Sequence, residues 1–211
     1  MMKQQQEYLN EITEIRSLME RSSRFLSLSG LSGVMAGVYA LLGAAFAYWT
    51  IYQNDYQLVY RRVDLGETNT INLLILDALL VLTLSLLTGL FLTHRKAKKA
   101  GASLWDKQAR QLLINLMIPL FTGGILSLIL LQRGYVGIIA PLTLIFYGLA
   151  LVNVSKYTFT DVRQLGLIEI ALGLISCVYI GYGLLFWAIG FGILHIAYGL
   201  LMYVKYEKGK Q

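Results

Sequence analysis

The chain has 211 residues, of which 56% are hydrophobic and 14% charged. Several apolar runs exceed the ~18 residues that separate a membrane span from a buried core helix, so the composition excludes an ordinary soluble domain and predicts a polytopic helical membrane protein. The net charge is +6, and the single cysteine excludes an intramolecular disulfide and a cysteine metal cluster.

Residues 1–24 form a polar element ahead of the first apolar run. Tyr8, Ile12, Ile15 and Met19 recur at helical spacing among charged residues, which predicts an amphipathic helix. We expect this helix either to lie along the cytoplasmic interface or to dock a partner, which includes a second copy of the chain. The segment lacks a short apolar core followed by a small-residue cleavage site, so no cleaved signal peptide is expected.

Six apolar runs follow, and they predict an all-α, six-transmembrane-helix bundle of three antiparallel hairpins over residues 25–204. The runs are long enough to approach the ~30 Å of a hydrocarbon core at ~1.5 Å per residue. A short tail, 205–211, ends the chain. The predicted spans cover about 25–51, 71–92, 112–132, 136–153, 165–180 and 184–204.

Small residues and prolines predict close helix packing in span one and irregular helices in spans three and four. Gly33 and Gly37 repeat at a four-residue step in span one, which permits close packing against another helix. That neighbour is either another span of this chain or a second protomer, so a homo-oligomer through span one is one of two outcomes. Pro119 and Pro141 predict kinks or hinges in spans three and four.

Lysine and arginine are distributed unevenly between the connections. Because cytoplasmic connections retain these residues, the asymmetry places both termini in the cytoplasm and requires an even number of spans. Fifteen of the 18 lie in four segments, 1–24, 93–111, 154–164 and 205–211. The other three are Arg61, Arg62 and Arg133.

A basic run follows span two. We interpret it as a lipid-facing, stop-transfer loop that contacts anionic lipids at the cytoplasmic face, in preference to a nucleic-acid site. The lipid bilayer is therefore an expected partner, and nucleic acid is not. The basic residues are Arg95, Lys96, Lys98 and Lys99.

Two ionisable residues lie inside the last two spans. Glu169 precedes Tyr182 by 13 residues and His195 follows it by 13, so a turn at 181–183 places both side chains at about the same depth. Glycines flank each residue at helical spacing, which favours close packing of spans five and six around the pair. The pair is either a proton-carrying site or a polar clamp between the helices.

A third ionisable side chain, Asp77, interrupts span two about 9 Å below its outer edge by helix rise. Exposure of a carboxylate to lipid costs at least ~2.5 kcal/mol, so we expect Asp77 to face the bundle or water. It is either the outer gate of a transport path or a structural carboxyl group. Asn115 and Asn153 are predicted at one level near the cytoplasmic end, where an amide contact between their helices is expected.

No motif in the sequence predicts catalysis. A Gly-rich phosphate loop, an HExxH pair and a GxSxG elbow are all missing from it. The two histidines, His94 and His195, are predicted at different depths, which disfavours a haem held by both. We therefore predict no catalytic residue, no cofactor and no metal site, and an enzyme acting on a lipid ranks last among the functional classes.

The second half of the chain resembles a known group of proteins. YGLALVNVSKYTFTDVRQLGLIEIALG (Tyr147 to Gly173) and LLFWAIGFGILHIAYGLLMYVKY (Leu184 to Tyr206) are similar to an uncharacterised family of small bacterial polytopic inner-membrane proteins. The likeness extends more weakly to SLWDKQARQLLINLMIP. Members are often encoded beside a winged-helix regulator, which implies a multi-pass protein of the bacterial inner membrane in a regulatory setting. The resemblance supplies no catalytic residues.

Two functions follow as expectations. The first is a small transporter or channel-like protein with an intramembrane Glu169 and His195 pair. The second is a non-catalytic membrane regulator or scaffold that binds a cytosolic partner through residues 1–24 or the 93–111 loop. A water-filled cavity that reaches Glu169 favours the first function, and a closed, dry bundle with an exposed apolar stripe on the N-terminal helix favours the second.

Overall fold

The computed structural model describes residues 29–54, 60, 62, 69–99, 101, 105 and 107–208. The predicted amphipathic helix over residues 1–24, residues 25–28 of predicted span one and most of the connection between spans one and two lie outside the described residues. Within them the protein is all-helical, as predicted. The α-helices are α1 (Gly30–Asn54), α2 (Asn69–Lys99), α3 (Lys107–Gln132), α4 (Ile139–Val154), α5 (Asp161–Val178), α6 (Gly183–Trp187) and α7 (His195–Tyr206).

Shorter helical turns connect the second half of the bundle. A π-helical turn, Ala188–Leu194, joins α6 to α7, so that residues 183–206 form one continuous helix that we name the C-terminal helix. The 3₁₀ turns are Val136–Ile138, Ser155–Tyr157 and Ile180–Tyr182.

Five helical segments are long and apolar enough to cross a membrane, which indicates a multi-pass membrane protein. Five of the six predicted spans, the first four and the sixth, correspond to these segments. The segments are Gly30–Gln53, Asn69–Lys99, Lys107–Gln132, Val136–Tyr157 and Ile180–Tyr206.

The predicted fifth span, 165–180, corresponds to α5, which is not one of the five. This helix has 18 residues and includes Asp161, Arg163 and Glu169. Because Asp161 and Arg163 occupy its first turn, the stretch from Leu165 to Val178 covers only ~20 Å by helix rise. α5 packs closely along α4, and many of its side chains are buried there, so it needs less lipid-facing apolar surface than the other helices.

Helix α2 continues to Lys99, beyond the predicted span end at 92. Alanine and lysine are good helix formers, and the helix ends before Gly101, whose φ of 63° is typical of a glycine C-cap. The predicted basic loop is therefore corrected: its four basic residues lie on a helix, and Lys96, Lys98 and Lys99 lie in the last turn. Arg95, Lys98 and Lys99 are exposed there, whereas Lys96 is partly buried.

The helices do not pack only as three consecutive hairpins. α4 packs against both α3 and α5, and α1 packs against α2. The C-terminal helix makes its most extensive contacts with α1, and it reaches α4 and α5 mainly through α6 and the π turn. The C-terminal helix therefore connects the first and last parts of the chain.

The small-residue face of α1 is occupied by the C-terminal helix of the same chain. A Cβ on Gly30 or Gly33 would meet the backbone of Gly199, and one on Gly37 would meet the Gly192 carbonyl. These glycines permit close backbone approach, as their spacing predicts. A homo-oligomer through span one stays a prediction, and Gly33 and Gly37 are already in contact within the chain.

Two ionic contacts hold four helix ends at one end of the bundle. Glu207, just past α7, accepts hydrogen bonds from the backbone N–H of Gly30 at 2.6 Å and from Lys96 Nζ at 3.1 Å. Asp161, which begins α5, accepts hydrogen bonds from Lys205 Nζ at 2.9 Å and from the Tyr206 hydroxyl at 2.7 Å. The first contact also places a carboxylate at the positive N-terminus of α1.

The opposite end of the bundle holds the turns before α4 and α6. The Val136–Ile138 and Ile180–Tyr182 turns contact each other, and Arg62 donates a hydrogen bond to the Arg133 carbonyl at 2.8 Å. α5 therefore runs between the same two ends as its neighbours.

Candidate functional site

Glu169 is enclosed between α5, α4 and the C-terminal helix. On α5 it shares a face with Gly166 and Gly173, and these glycines let α4 approach closely. A Cβ on Gly166 would meet the Gly148 carbonyl, and one on Gly173 would meet Ile145. As a result the Glu169 side chain is 0% exposed to solvent.

His195 stands across from Glu169 on the C-terminal helix, and both of its ring nitrogens have partners. Nδ1 lies 2.9 Å from the Gly190 carbonyl, and Nε2 lies 2.8 Å from the Tyr147 hydroxyl. A carbonyl oxygen can only accept a hydrogen bond, so Nδ1 carries a proton and donates a hydrogen bond to the Gly190 carbonyl. In the neutral ring Nε2 then accepts a hydrogen bond from the Tyr147 hydroxyl group, which fixes the tautomer.

The structure brings Glu169 and His195 together. Glu169 Oε1 lies 3.6 Å from His195 Nδ1, slightly beyond hydrogen-bond distance. Neither carboxyl oxygen has a hydrogen-bond partner among the described residues. This separation lies within ion-pair distance, so a protonated His195 ring interacts favourably with a charged Glu169. We name Tyr147, Glu169, Gly190 and His195 the buried cluster.

The π-helical turn shapes the cluster from the C-terminal helix. Its sequence, AIGFGIL, contains Gly190 and Gly192, and glycine weakens the regular α-helical arrangement. A Cβ on Gly190 would overlap Glu169 Oε2 and Leu144, so only glycine fits over the carboxyl group. Single π-helical turns within α-helices occur frequently at functional sites.

The glycines that flank Glu169 and His195 contact different helices from those that the sequence predicts. Gly166 and Gly173 contact α4, whereas Gly192 and Gly199 contact α1. The expectation that they bring spans five and six together is therefore wrong. Glu169 and His195 meet because α4 and α1 hold their two helices in place from opposite sides.

Aromatic rings cover the histidine side of the cluster. The ring centroids of Tyr147 and Phe191 lie 4.9 Å apart, and those of Phe191 and His195 lie 5.7 Å apart. Trp187 extends the group, with its ring 5.1 Å from that of Phe191. These rings separate His195 from the surroundings and leave it 7% exposed.

Two shallow concavities lie away from the buried cluster, on outer helix faces. One, of about 390 Å³, is a shallow apolar depression along α3 between Leu113 and Phe121. The other, of about 190 Å³, lies between α1 and α2. Neither is lined by a residue of the buried cluster.

Asp77 is not part of the cluster. It lies on α2 beside Gly43 of α1, half-buried at the 190 Å³ concavity with Phe46, Leu76 and other apolar neighbours. Its role as an outer gate stays a prediction, and its position gives it no direct contact with Glu169 or His195.

The structure shows where the prolines and asparagines singled out in the sequence lie. Pro119 lies inside α3, where a kink is expected, whereas Pro141 lies in the first turn of α4, where a missing N–H breaks no helical hydrogen bond. The Asn153 amide donates to the main-chain carbonyl of Asn115 at 2.8 Å, which is the expected contact between the third and fourth spans.

Sequence reasoning missed two members of the cluster, Tyr147 and Gly190. A tyrosine within an apolar span needs a partner for its hydroxyl group, so Tyr147 was open to prediction as a polar contact. The closely spaced Gly190 and Gly192 in span six were open to prediction as a helix irregularity. Neither signal identifies His195 or Glu169 as the partner.

The described residues contain no group of three or more side chains suited to hold a metal ion. The fold and the buried cluster together define a multi-pass helical membrane protein with an ionisable pair in its interior. Comparison with protein-family models, curated proteins and solved structures finds no match to this chain. The resemblance to small bacterial inner-membrane proteins therefore stays a prediction.

Proposed function

We propose that the chain is a small transporter or channel-like protein of the bacterial inner membrane and that its buried cluster carries protons. In this proposal Glu169 and His195 hold the transported proton, and Tyr147 orients the imidazole ring. The bundle crosses the membrane six times, with both termini in the cytoplasm. This orientation follows the distribution of lysine and arginine.

The observation that carries the proposal is the unpaired carboxyl group of Glu169. Its oxygens are buried without a hydrogen bond from any described residue, next to an imidazole whose own hydrogen bonds are complete. His195 links its helix to α4 through Tyr147, but the 3.6 Å separation gives Glu169 no hydrogen bond to His195, so a clamp does not account for the carboxyl group. Ionisable residues inside membrane helices are retained mainly for function, because their burial is costly.

The packing supports six crossings. Asp161 at the start of α5 contacts Lys205 and Tyr206 at one end of the bundle, and the turn after α5 contacts the turn before α4 at the other end. α5 thus runs between the same two ends of the bundle as the helices beside it. Its charged residues are either at its end or inside the buried cluster, except Arg163.

Proton flux into liposomes tests the proposal. The purified protein is reconstituted with a pH-sensitive dye inside, and a potassium diffusion potential drives proton entry. We expect the wild-type protein to carry protons and Glu169→Gln to fall to the rate of protein-free liposomes, because the amide cannot take up a proton. A Glu169→Gln variant that carries protons at the wild-type rate contradicts the proposal.

The second candidate is a non-catalytic membrane regulator or scaffold that binds a cytosolic partner. The close packing around Glu169, whose side chain is 0% exposed, favours it. The exposed Arg95, Lys98 and Lys99 at the end of α2 provide a positive surface for anionic lipids or for an acidic partner. Wild-type liposomes that show no proton flux above protein-free liposomes support this candidate against the first.

A further inference from the structure

Asp77 carries a carboxylate without a partner between α1 and α2. Among the described residues, no group donates a hydrogen bond to this carboxylate and no basic side chain forms an ion pair with it. Both of its oxygens lie near Gly43 of α1, where an added Cβ would be 3.3 Å from each of them. An unpaired carboxylate within a membrane span is costly, so its presence needs a reason.

A concavity of about 190 Å³ lies beside this carboxylate. Its walls are apolar, and they are formed by Phe46 of α1 and by Leu73, Leu76 and Leu80 of α2. These four side chains are between 41% and 62% exposed, so the concavity opens on the outer surface of two helices that are apolar enough to cross a membrane. A ligand therefore reaches it from the lipid.

The depth of the concavity agrees with entry from the lipid. Asp77 is ~12 Å by helix rise from Asn69, where α2 begins. A hydrocarbon core is ~30 Å thick, so this distance places the carboxylate well inside it. Gly43 leaves the room that the carboxylate occupies between the two helices.

The residues around the concavity specify the chemistry of its ligand. A carboxylate attracts a positive charge, and the attraction is strong where apolar walls exclude water. An aromatic ring such as Phe46 also favours a cation, and quaternary ammonium groups are commonly recognised in this way. A calcium ion takes about six to eight oxygen ligands, which one carboxylate cannot supply, so an organic cation fits better than a metal ion.

We propose that this concavity binds lipophilic organic cations of the alkylammonium class. The cationic group lies against Asp77 and Phe46, and the alkyl chain lies along the three leucines and remains in contact with lipid. A volume of about 190 Å³ selects a compact charged group. The proposal goes beyond the proton-carrying function, because Asp77 lies on a different helix from every residue of the buried cluster.

Equilibrium binding of decyltrimethylammonium to the full chain tests the site. The protein is held in phosphatidylcholine nanodiscs, whose lipid has no net charge, and binding of the tritium-labelled cation is measured against empty nanodiscs. The quaternary nitrogen is charged at every pH. An analogue with carbon in place of this nitrogen has the same shape and no charge, so it separates electrostatic binding from apolar binding.

The carboxylate is tested first. We expect wild-type protein to bind the cation saturably and Asp77→Asn to bind it at least ~tenfold more weakly, because the amide keeps the shape and removes the charge. Asp161→Asn makes the same chemical change at one end of the bundle and is expected to bind as wild type does. Equal binding by wild type and Asp77→Asn overturns the proposal.

The aromatic wall is tested next. We expect Phe46→Leu to weaken binding of the cation about two- to fivefold, as the loss of one cation–π contact implies. Phe91→Leu is the matched control, because Phe91 is 65% exposed on α2 and does not line the concavity. Equal weakening in the two variants contradicts the assignment of Phe46.

Two further results overturn the proposal and identify another occupant. If the neutral analogue binds as tightly as the cation, the concavity takes an acyl chain of the lipid. If wild-type protein shows no saturable binding above empty nanodiscs, the site is wrong, and a dimer in native mass spectra would then indicate that a second copy of the chain covers it.

This proposal and the proposed function fail separately. Loss of proton flux in Glu169→Gln without cation binding by the wild type leaves the function and removes the cation site. Cation binding that depends on Asp77, in a protein that carries no protons, leaves the site and removes the function.

Discussion

Asp77 and Glu169 are both carboxyl groups inside apolar helices, yet their surroundings differ. Asp77 lies half-buried between α1 and α2, at the edge of an open concavity. Glu169 is completely buried, with the His195 ring 3.6 Å away and Gly190 directly over it. A charged residue within a span is therefore not a site by itself, because the helices packed around it decide which chemistry it can perform.

The helices around the two carboxyl groups differ in the same way. α2 and α3 expose most of their apolar side chains, as expected of helices that face lipid. α5 and the C-terminal helix bury glycines against α4 and α1. The C-terminal half thus provides a rigid, closely packed environment for an ionisable pair, which the α1 and α2 pair does not provide for Asp77.

The largest expected effect separates the two carboxyl groups directly. Glu169→Gln should reduce proton flux by ~100-fold or more, the size of effect expected for loss of a proton-transfer group, whereas Asp77→Asn should keep most of the flux. Flux into dye-loaded liposomes measures both variants under the same driving force. Equal losses in the two variants would place Asp77 on the proton path and remove the distinction.

Glycine substitutions test the packing difference. Gly190→Ala places a Cβ against Glu169 and Leu144, and such overpacking should cost about 1–3 kcal/mol and lower the thermal unfolding midpoint. A Cβ on Gly89 of α2 meets nothing within 4 Å. Gly89→Ala should therefore raise the free energy of unfolding by up to about 1 kcal/mol and raise the midpoint slightly, because alanine favours the helix. A Gly190→Ala midpoint at or above that of Gly89→Ala contradicts the closely packed cluster.

The hydrogen bond between Tyr147 and His195 gives a smaller effect. Polar contacts between membrane helices average ~0.6 kcal/mol, so Tyr147→Phe should destabilise the fold only slightly. A double-mutant cycle of Tyr147→Phe with His195→Gln isolates the coupling between the two side chains. A coupling of zero, with additive losses, would show that the observed 2.8 Å contact contributes nothing.

The smallest expected effect concerns Asp161, the first residue of α5, at one end of the bundle. Partial burial raises the pKa of Asp161, but hydrogen bonds from Lys205 and Tyr206 outweigh it and hold that pKa below its ordinary value of 3.8. A folded-state pKa below the unfolded value stabilises the protein at neutral pH, and this stabilisation is lost as the pH falls through the folded-state pKa.

Wild-type protein should therefore lose stability on acidification below pH 3.8 more steeply than Asp161→Asn. The difference should be small, because the Lys205 side chain is 50% exposed and solvent screens the pair. Thermal midpoints recorded against pH for both proteins measure it. Parallel pH profiles would show that these hydrogen bonds do not hold Asp161 in its charged form.

Part of the site could be predicted from the sequence because helices are regular. Glu169 and His195 are equidistant from Tyr182 in sequence, and a constant rise per residue is enough to place them at one depth. The identity of the packing partners could not be predicted in the same way. Gly166 and Gly173 show that α5 approaches some helix closely, but small-residue spacing does not specify that this helix is α4.

The remaining features depend on contacts between distant parts of the chain. Tyr147 joins the cluster only because α4 lies between α3 and α5, and Gly190 covers Glu169 only because a π turn replaces regular α-helix there. The extension of α2 to Lys99 was missed because a hydrophobicity pattern marks the apolar span and not the helix. Lys96 then pairs with Glu207, from a separate part of the sequence.

The central claim is that Glu169 and His195 act as one proton-holding site, and the chain has only two histidines with which to test it. Nitrogen-15 NMR of histidine-labelled protein in lipid reports which ring nitrogen carries the proton. The account predicts that His195 has its proton on Nδ1 at neutral pH, bonded to the Gly190 carbonyl, and that Glu169→Gln shifts the His195 signals and leaves those of exposed His94 unchanged. A His195 ring protonated on Nε2 alone, or His195 signals unaffected by Glu169→Gln, would contradict it.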